Sequence, residues 1–502
     1  MCVRPRLPRF VLVLVLALSS FTILRADLTP AEVYLNAADL LSRDWRYNDA
    51  FALYAQAERV AEGPQRLRAG LGVAASAIRL AEFDVAYAKA SQLRRAFPED
   101  LQALAVYGQA AWANGMFQEA EGAFADALAR NGADPASRLG MARVLAARSR
   151  LNEALDNTLA VIAATPGDAD AYAVAGHVYR RLRQLDQSIA YLTRYYNLLP
   201  AREIDRRSWT QGEIVFLKSF GRRVPGEIAA TSLLSAHTVP IQLVNEKVIL
   251  TTRVNGRERL DFMVDTGAEQ TVISESTARR LGIGAVSRTI SAGVGEIGLR
   301  GLQTGVIDSL QIGSLVVRNV PCLIKSPALE GMPVGESESF SPLALGLSTV
   351  IDYKRHELTL ARALDEQPGD SLMPLWFSRL ATVRGVINGR RPASFIVDTG
   401  GEVVSIALDT ARALSPQPPG RRIPLQVFGT SGWDHDAFLM PGVTLAFDDL
   451  GLKNASVVVL NLRAPSVLLG YRVGGTVGHH FLSKYRVTFD LQRSTLGLSA
   501  GQ

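Results

Sequence analysis

Two aspartates, Asp265 and Asp398, lie 133 residues apart, and each ends an apolar run at a glycine turn: Phe262-Met263-Val264-Asp265-Thr266-Gly267 and Phe395-Ile396-Val397-Asp398-Thr399-Gly400. A strand that runs straight into such a turn holds a carboxylate rigidly. Two carboxylates brought together can divide acid and base work between them. The likeness extends beyond the tripeptide. Asn255-Gly256-Arg257 lies ten residues before the first Asp and Asn388-Gly389-Arg390 ten before the second, while Ile273, Ala278 and Leu281 match Ile406, Ala411 and Leu414 at the same offset. One Asp-Thr-Gly alone would be an ordinary turn. Two in aligned frames mark a duplication with one acid per copy.

The elements that must position these acids are short β-branched runs broken by Gly, Asn-Gly and Asp. Residues 248–254, the Asn255-Gly256 pair and residues 260–264 predict a strand, a hairpin turn and a strand. Residues 382–387, Asn388-Gly389 and 394–397 repeat the same pattern, and 277–281 predict a brief helix. The copy ends also correspond, Val350-Ile351-Asp352 matching Thr488-Phe489-Asp490. The expected organisation is a first β-rich lobe over 235–363 and a second over 364–502.

The first 200 residues follow a different period. Ala86, Ala120, Ala154 and Ser188 recur every 34 residues, followed four residues later by Ala90, Phe124, Thr158 and Leu192, with Pro98, Pro166 and Pro200 closing units. Small residues let antiparallel helices approach, and each helix pair leaves an apolar side that only the next pair can cover. This predicts an α-solenoid of about five units over 27–200. Residues 201–234 show no clear period and are expected to form a connector with one helical turn.

Residues 1–26 combine Arg4, Arg6 and Arg9 with an apolar stretch from Phe10 to Leu18, which predicts a signal peptide and an exported, periplasmic or secreted protein. Retained instead of cleaved, the segment would be a membrane anchor. The formal charge is +6, but four arginines and no acids lie in those 26 residues, so the composition excludes an electrostatic nucleic-acid binder. Of two cysteines, Cys2 falls in the leader, which leaves Cys322 as a buried small hydrophobe and no internal disulfide in the mature fold.

On Asp265-Thr266-Gly267-Ala268 and Asp398-Thr399-Gly400-Gly401, each with a later apolar-apolar-Gly element, the lobes resemble retropepsin-type aspartic proteases. The helical units resemble tetratricopeptide (TPR) repeats, a combination found in bacterial proteins. The apolar-apolar-Gly element is read as Ala344-Leu345-Gly346 in lobe 1 and Thr476-Val477-Gly478 in lobe 2. Only five residues then separate Gly346 from Asp352, so the short helix that normally intervenes is expected to be missing from lobe 1. The fold class is therefore α plus all-β: a TPR-type solenoid followed by two tandem retropepsin-like β-lobes.

The resemblance implies that Asp265 and Asp398 share a proton and activate a water for peptide hydrolysis without metal or cofactor. Thr266 and Thr399 would lock the two loops across the lobe interface, and Gly267 and Gly400 would turn amides toward the carboxylates. A hairpin after the helix of each lobe would cover substrate, with Gly293 and Gly295 in lobe 1 and Gly429 and Trp433 in lobe 2 as the flap candidates. Implied partners are a peptide or protein substrate and a protein on the concave face of the repeats. The alternative is a catalytically silent scaffold, favoured by the shortened end of lobe 1.

Other motifs carry less. Gly293-Val294-Gly295-Glu296-Ile297-Gly298 fits a dinucleotide fingerprint by letters, but the glycine-rich continuation is no helix and the βαβ context is missing. Asp434-His435-Asp436 with His479-His480 could ligate a metal, yet no H-E-x-x-H or cysteine cluster supports zinc.

Overall fold

A computed structural model describes residues 28–233, 235–294, 299–325, 338–365, 371–414, 423–429 and 432–500. The expected leader over 1–26 lies outside them. Among the described residues no helix is long and apolar enough to cross a membrane. Two compact units make up the chain, one ending at Val73 and one running from Ala74.

In the first unit, α1 (Pro30–Arg43) and α2 (Tyr47–Val60) form a helical hairpin. Thr29 and Glu32 close a reciprocal capping box at the start of α1, with Pro30 in the first turn where it loses no hydrogen bond. Leu35, Ala38, Ala50, Tyr54 and Ala57 fill the seam, joined by Ala69 and Val73. The polar end of Tyr54 is satisfied by Asp39 Oδ1 at 2.6 Å.

Helix α3 (Gly63–Arg79) leads into the second unit. There the repeat continues as α4 (Phe83–Ala96), α5 (Leu101–Ala113), α6 (Phe117–Arg130), α7 (Pro135–Ala147), α8 (Leu151–Ala164), α9 (Ala169–Arg181) and α10 (Leu185–Leu198). Asp100, Asp134 and Asp168 cap α5, α7 and α9, each accepting from a backbone N–H three residues on. Ala86, Ala120, Ala154 and Ser188 are fully buried at the crossings. The polar members are satisfied locally: Thr158 Oγ1 donates to the Ala154 carbonyl at 2.7 Å and Ser188 Oγ to that of Gly176 at 2.8 Å.

Phe124 is 1% exposed, its ring seated where Gly108 and Gly140 leave room on the two flanking helices. Phe124→Leu should therefore lower stability by about 1–2 kcal/mol, because a branched aliphatic cannot fill a slot cut for a flat ring. An earlier chemical-denaturation midpoint followed by far-ultraviolet circular dichroism checks this.

The expected connector is corrected. Residues 204–219 form α11 (Ile204–Ser219), whose Ile214 and Leu217 bury against Leu192 of α10. Gly212 inside it weakens the apolar period, but α11 packs on the strand Ser287–Ala292, and a side chain at 212 would strike the Arg288 carbonyl.

The central strands of the two lobes correspond. In lobe 1, Lys247–Val254 and Glu258–Val264 form an antiparallel hairpin across Asn255 and Gly256, both at positive φ (50° and 66°). In lobe 2, Ala381–Ile387 and Arg391–Val397 do the same across Asn388 and Gly389 (49° and 65°). The strand ending at each aspartate has a short parallel neighbour, Ser339–Phe340 beside Glu258–Val264 and Gly475–Val477 beside Arg391–Val397.

Beneath the lobes a six-stranded sheet takes three strands from each, in the order Ser371–Pro374, Thr495–Ala500, Tyr485–Asp490, Ser348–Asp352, Glu357–Ala361, His237–Pro240. Its central antiparallel pair joins Thr349 to Phe489 and Asp352 to Arg486, so a pseudo-twofold axis passes between the lobes. One apolar core runs continuously through both, from Phe262, Val264 and Phe340 to Phe395, Val397 and Phe481. Cys322 is wholly buried in it, and burial pushes its thiol up to about 12.

In the second unit the turns inside the helix pairs rest on the lobes. The turn inside each helix pair of the second unit carries one residue at positive φ: Ala81, Gly115, Ser149 and Arg183. Three of the four manage with a side chain, so φ alone does not demand glycine at 115. Close approach does: a methyl there would lie 2.5 Å from Ser394 Oγ and 2.7 Å from the Arg472 carbonyl. Beside it the Arg472 N–H donates to the Ala113 carbonyl at 2.8 Å. The buried Arg472 guanidinium reaches Asp84 at 2.6 Å, Asp409 at 3.0 Å and Thr410 Oγ1 at 3.2 Å. Phe117 packs on Trp376 and edge-on against Tyr471, with ring centroids 5.5 and 4.9 Å apart. Further along, Ser494 Oγ donates to the Arg148 carbonyl at 2.6 Å and Arg183 Nη2 to that of Leu345 at 3.2 Å.

Candidate active site

Each aspartate ends its strand with its amide paired to the parallel neighbour: Asp265 N donates to the Phe340 carbonyl at 2.9 Å, and Asp398 N to that of Val477 at 3.0 Å. This pairing corrects the register expected for lobe 1. The counterpart of Val477-Gly478 is Phe340-Ser341, not Leu345-Gly346. Ser341 stands where lobe 2 has glycine, and its hydroxyl donates to the Ala268 carbonyl at 2.6 Å. The short helix expected to be missing is present as the 3-10 turn Leu343–Leu345, standing where His479–Leu482 stands in lobe 2. The end of lobe 1 is therefore not truncated.

The two loops are tied by four reciprocal hydrogen bonds. Thr266 Oγ1 donates to the Val397 carbonyl and Thr399 Oγ1 to that of Val264, each at 2.7 Å. Thr266 N donates to Thr399 Oγ1 and Thr399 N to Thr266 Oγ1, each at 3.1 Å. Both threonines are buried, so every one of these groups would otherwise be orphaned. Gly267 and Gly400 stand against the opposite lobe's acid; a methyl on Gly400 would fall 2.6 Å from Asp265 Cγ.

Asp265 and Asp398 themselves meet, their carboxyls sharing a hydrogen bond. Burial, then the Asp398 carboxylate beside it, holds the Asp265 carboxyl well above the ordinary range. Burial also raises Asp398, but the Gly401 and Gly400 amides oppose it. Asp398 Oδ1 accepts from Gly400 N and Gly401 N, both at 2.9 Å, whereas Asp265 Oδ1 accepts from Gly267 N at 2.9 Å. The extra amide favours the negative charge on Asp398, and the proton then rests on Asp265. The pair titrates as a unit.

Of the flap candidates, Gly293 lies just past the strand Ser287–Ala292, which pairs with Leu299–Ile312, and the adjacent Val294 packs against a lobe 2 cluster containing Trp376 and Leu462. Gly295 lies outside the described residues. Gly429 and Trp433 belong to a small hairpin in which Gly429 faces Gly432.

The other histidines and acids are engaged elsewhere. Asp434 accepts from the Asp436 and Asn461 amides at 3.1 Å each, His479 stands edge-on to Tyr353, and His480 pairs with Glu246. Among the described residues no group of three His, Cys, Asp or Glu is placed to hold a metal ion.

Residues 250–337 match the family model described as gag-polyprotein putative aspartyl protease, and residues 383–473 match the one described as Aspartyl protease. The chain carries two aspartyl-protease domains in tandem. The first match contains Asp265 and the second Asp398, so each aspartyl-protease domain contributes one acid to the pair. No curated protein matches the chain. Among solved structures, the aspartic proteinase from Irpex lacteus is similar at 14% identity and TM-score 0.34, over 53% of this chain and 97% of that one. A thermophilic TPR protein of Thermus thermophilus is similar at 19% identity and TM-score 0.32, over 37% of this chain and 99% of that one. YrrB, a TPR protein described as having an unusual peptide-binding site, is similar at 24% identity and TM-score 0.23, over 35% and 89%. The repeats before the aspartyl-protease domains resemble TPR structures.

Proposed function

We propose that the protein is an exported aspartic endopeptidase, with the helical repeats docking a partner or the substrate itself. The observation that carries this reading is the hydrogen-bonded pair of Asp265 and Asp398, with two amide donors on one member and one on the other. Ionised Asp398 takes a proton from a water between the carboxyls as the water oxygen bonds to the scissile carbonyl carbon. Asp265 gives its proton to the carbonyl oxygen in the same step. Collapse of the tetrahedral species returns a proton to the leaving amine, and the pair regains its single proton. The basic and apolar residues 1–26 support export, with membrane attachment if that segment is retained.

The silent-scaffold alternative loses its main support, since lobe 1 has a complete end. Incubation of the full chain with an unfolded protein across pH 4–7 should give discrete fragments, and a statine-type inhibitor should prevent them. Intact substrate at every pH, with the chain folded, would leave the pair without a hydrolytic role.

A further inference from the structure

One side chain breaks the twofold relation between the lobes at the acids themselves. Lys247 opens the strand Lys247–Val254 directly after Asn245 and Glu246, a two-residue turn with both φ values positive. At the offset that superposes the two copies, its counterpart is Leu380, buried and uncharged. The Lys247 side chain is 12% exposed and crosses from lobe 1 to lobe 2. There Nζ donates to the Gly400 carbonyl at 2.6 Å and lies 3.4 Å from the Glu402 carboxylate.

The bond to Gly400 bears on the chemistry because of which peptide it engages. The Gly400 carbonyl and the Gly401 N–H belong to one planar unit. That N–H is the second amide donor on Asp398 Oδ1. An ammonium on the oxygen side polarises the same peptide, strengthening donation on the nitrogen side and fixing the plane. On the other side Arg379, beside Leu380, reaches across to Glu269, the counterpart of Glu402, but its remaining hydrogen bond goes to the Leu468 carbonyl at 3.2 Å, within its own lobe.

The geometry points to Lys247 as a positioning residue that holds the Gly400–Gly401 peptide and thereby makes Asp398 the proton-accepting member of the pair. The inference rests on the hydrolytic reading above for its consequence, though not for its geometry. The charged and titratable groups around Lys247 are Glu402, Asp265 and Asp398, with the Glu246–His480 pair and His479 beyond them. The positive charge favours ionisation of both aspartates, and His479 is kept toward its neutral form chiefly by burial.

The test compares the full chain with Lys247→Met and Lys247→Arg, labelled with carboxyl-carbon-13 aspartate, Asp398→Asn serving to assign signals. Loss of the cation should raise the titration midpoints of the pair by about one pH unit. Both limbs of the pH–rate profile should move upward with them, kcat falling more than KM changes, and Lys247→Arg should restore both readouts. An unshifted carboxyl titration in a folded Lys247→Met protein overturns the inference. A wild-type chain that cleaves nothing sinks the hydrolytic reading instead, while the carboxyl titration still decides the role of Lys247.

Discussion

Asp398→Asn should reduce peptide hydrolysis by about 10³-fold or more, and Asp265→Asn by a similar factor. An amide at 398 cannot accept the water proton, and an amide at 265 cannot supply one to the carbonyl oxygen; general acid–base steps of this kind are worth about 10²–10⁴-fold. The two variants should separate in stability. In the wild type both carboxyls bind protons more tightly folded than unfolded, so the folded state holds the excess and stability falls as pH rises above the ordinary carboxyl value near 4. Asp265→Asn removes the like charge without removing the hydrogen bond, so it should melt higher than wild type at pH 7, with the gap closing below about pH 4. Asp398→Asn leaves two glycine amides facing a neutral group and should gain less. Parallel melting curves and initial rates on one peptide substrate read both effects. An Asp265→Asn protein with wild-type turnover would remove that residue from the chemistry.

Thr399→Val should be the most damaging change among residues that need not touch substrate. Valine keeps the shape but loses the hydroxyl that donates to the Val264 carbonyl and accepts from Thr266 N. Both abandoned groups are buried, and at about 1–3 kcal/mol for each unmet partner the cost is about 2–6 kcal/mol. The loops would also lose their fixed spacing, and a displacement near 1 Å at reacting groups costs about 10²-fold in rate. Thr399→Ser keeps the hydroxyl and should recover most of both losses. Equal damage from serine and valine would mean that the methyl, not the hydroxyl, carries the effect.

Local pattern is enough for the duplication, both aspartates, the two Asn-Gly hairpins and the 34-residue solenoid. Each is written within one element: an apolar strand meeting a glycine turn, or small residues returning at helix crossings. The short strand beside Asp265 is hidden because it lacks the glycine of its lobe 2 counterpart. Lobe 1 uses Ser341 there and engages its hydroxyl instead, so a glycine-led alignment slides five residues to Gly346. Helix α11 escapes a periodicity reading because Gly212 interrupts its apolar stripe to admit the backbone of a neighbouring strand. Lys247 is silent in local pattern because its partners, Gly400 and Glu402, lie in the other copy. One local signal exists: superposing the copies sets a lone cation against Leu380.

Gly115 and Arg472 have a mechanical consequence. Helical repeats are usually pictured as an arm that swings on a linker, and here turns of the second unit are fastened to the aspartyl-protease domains at one site after another. On the proposed function, cargo docked on those repeats would keep a set bearing to the two acids. Which bond of an extended cargo arrived between them would then be fixed by architecture as well as by the side chains flanking that bond.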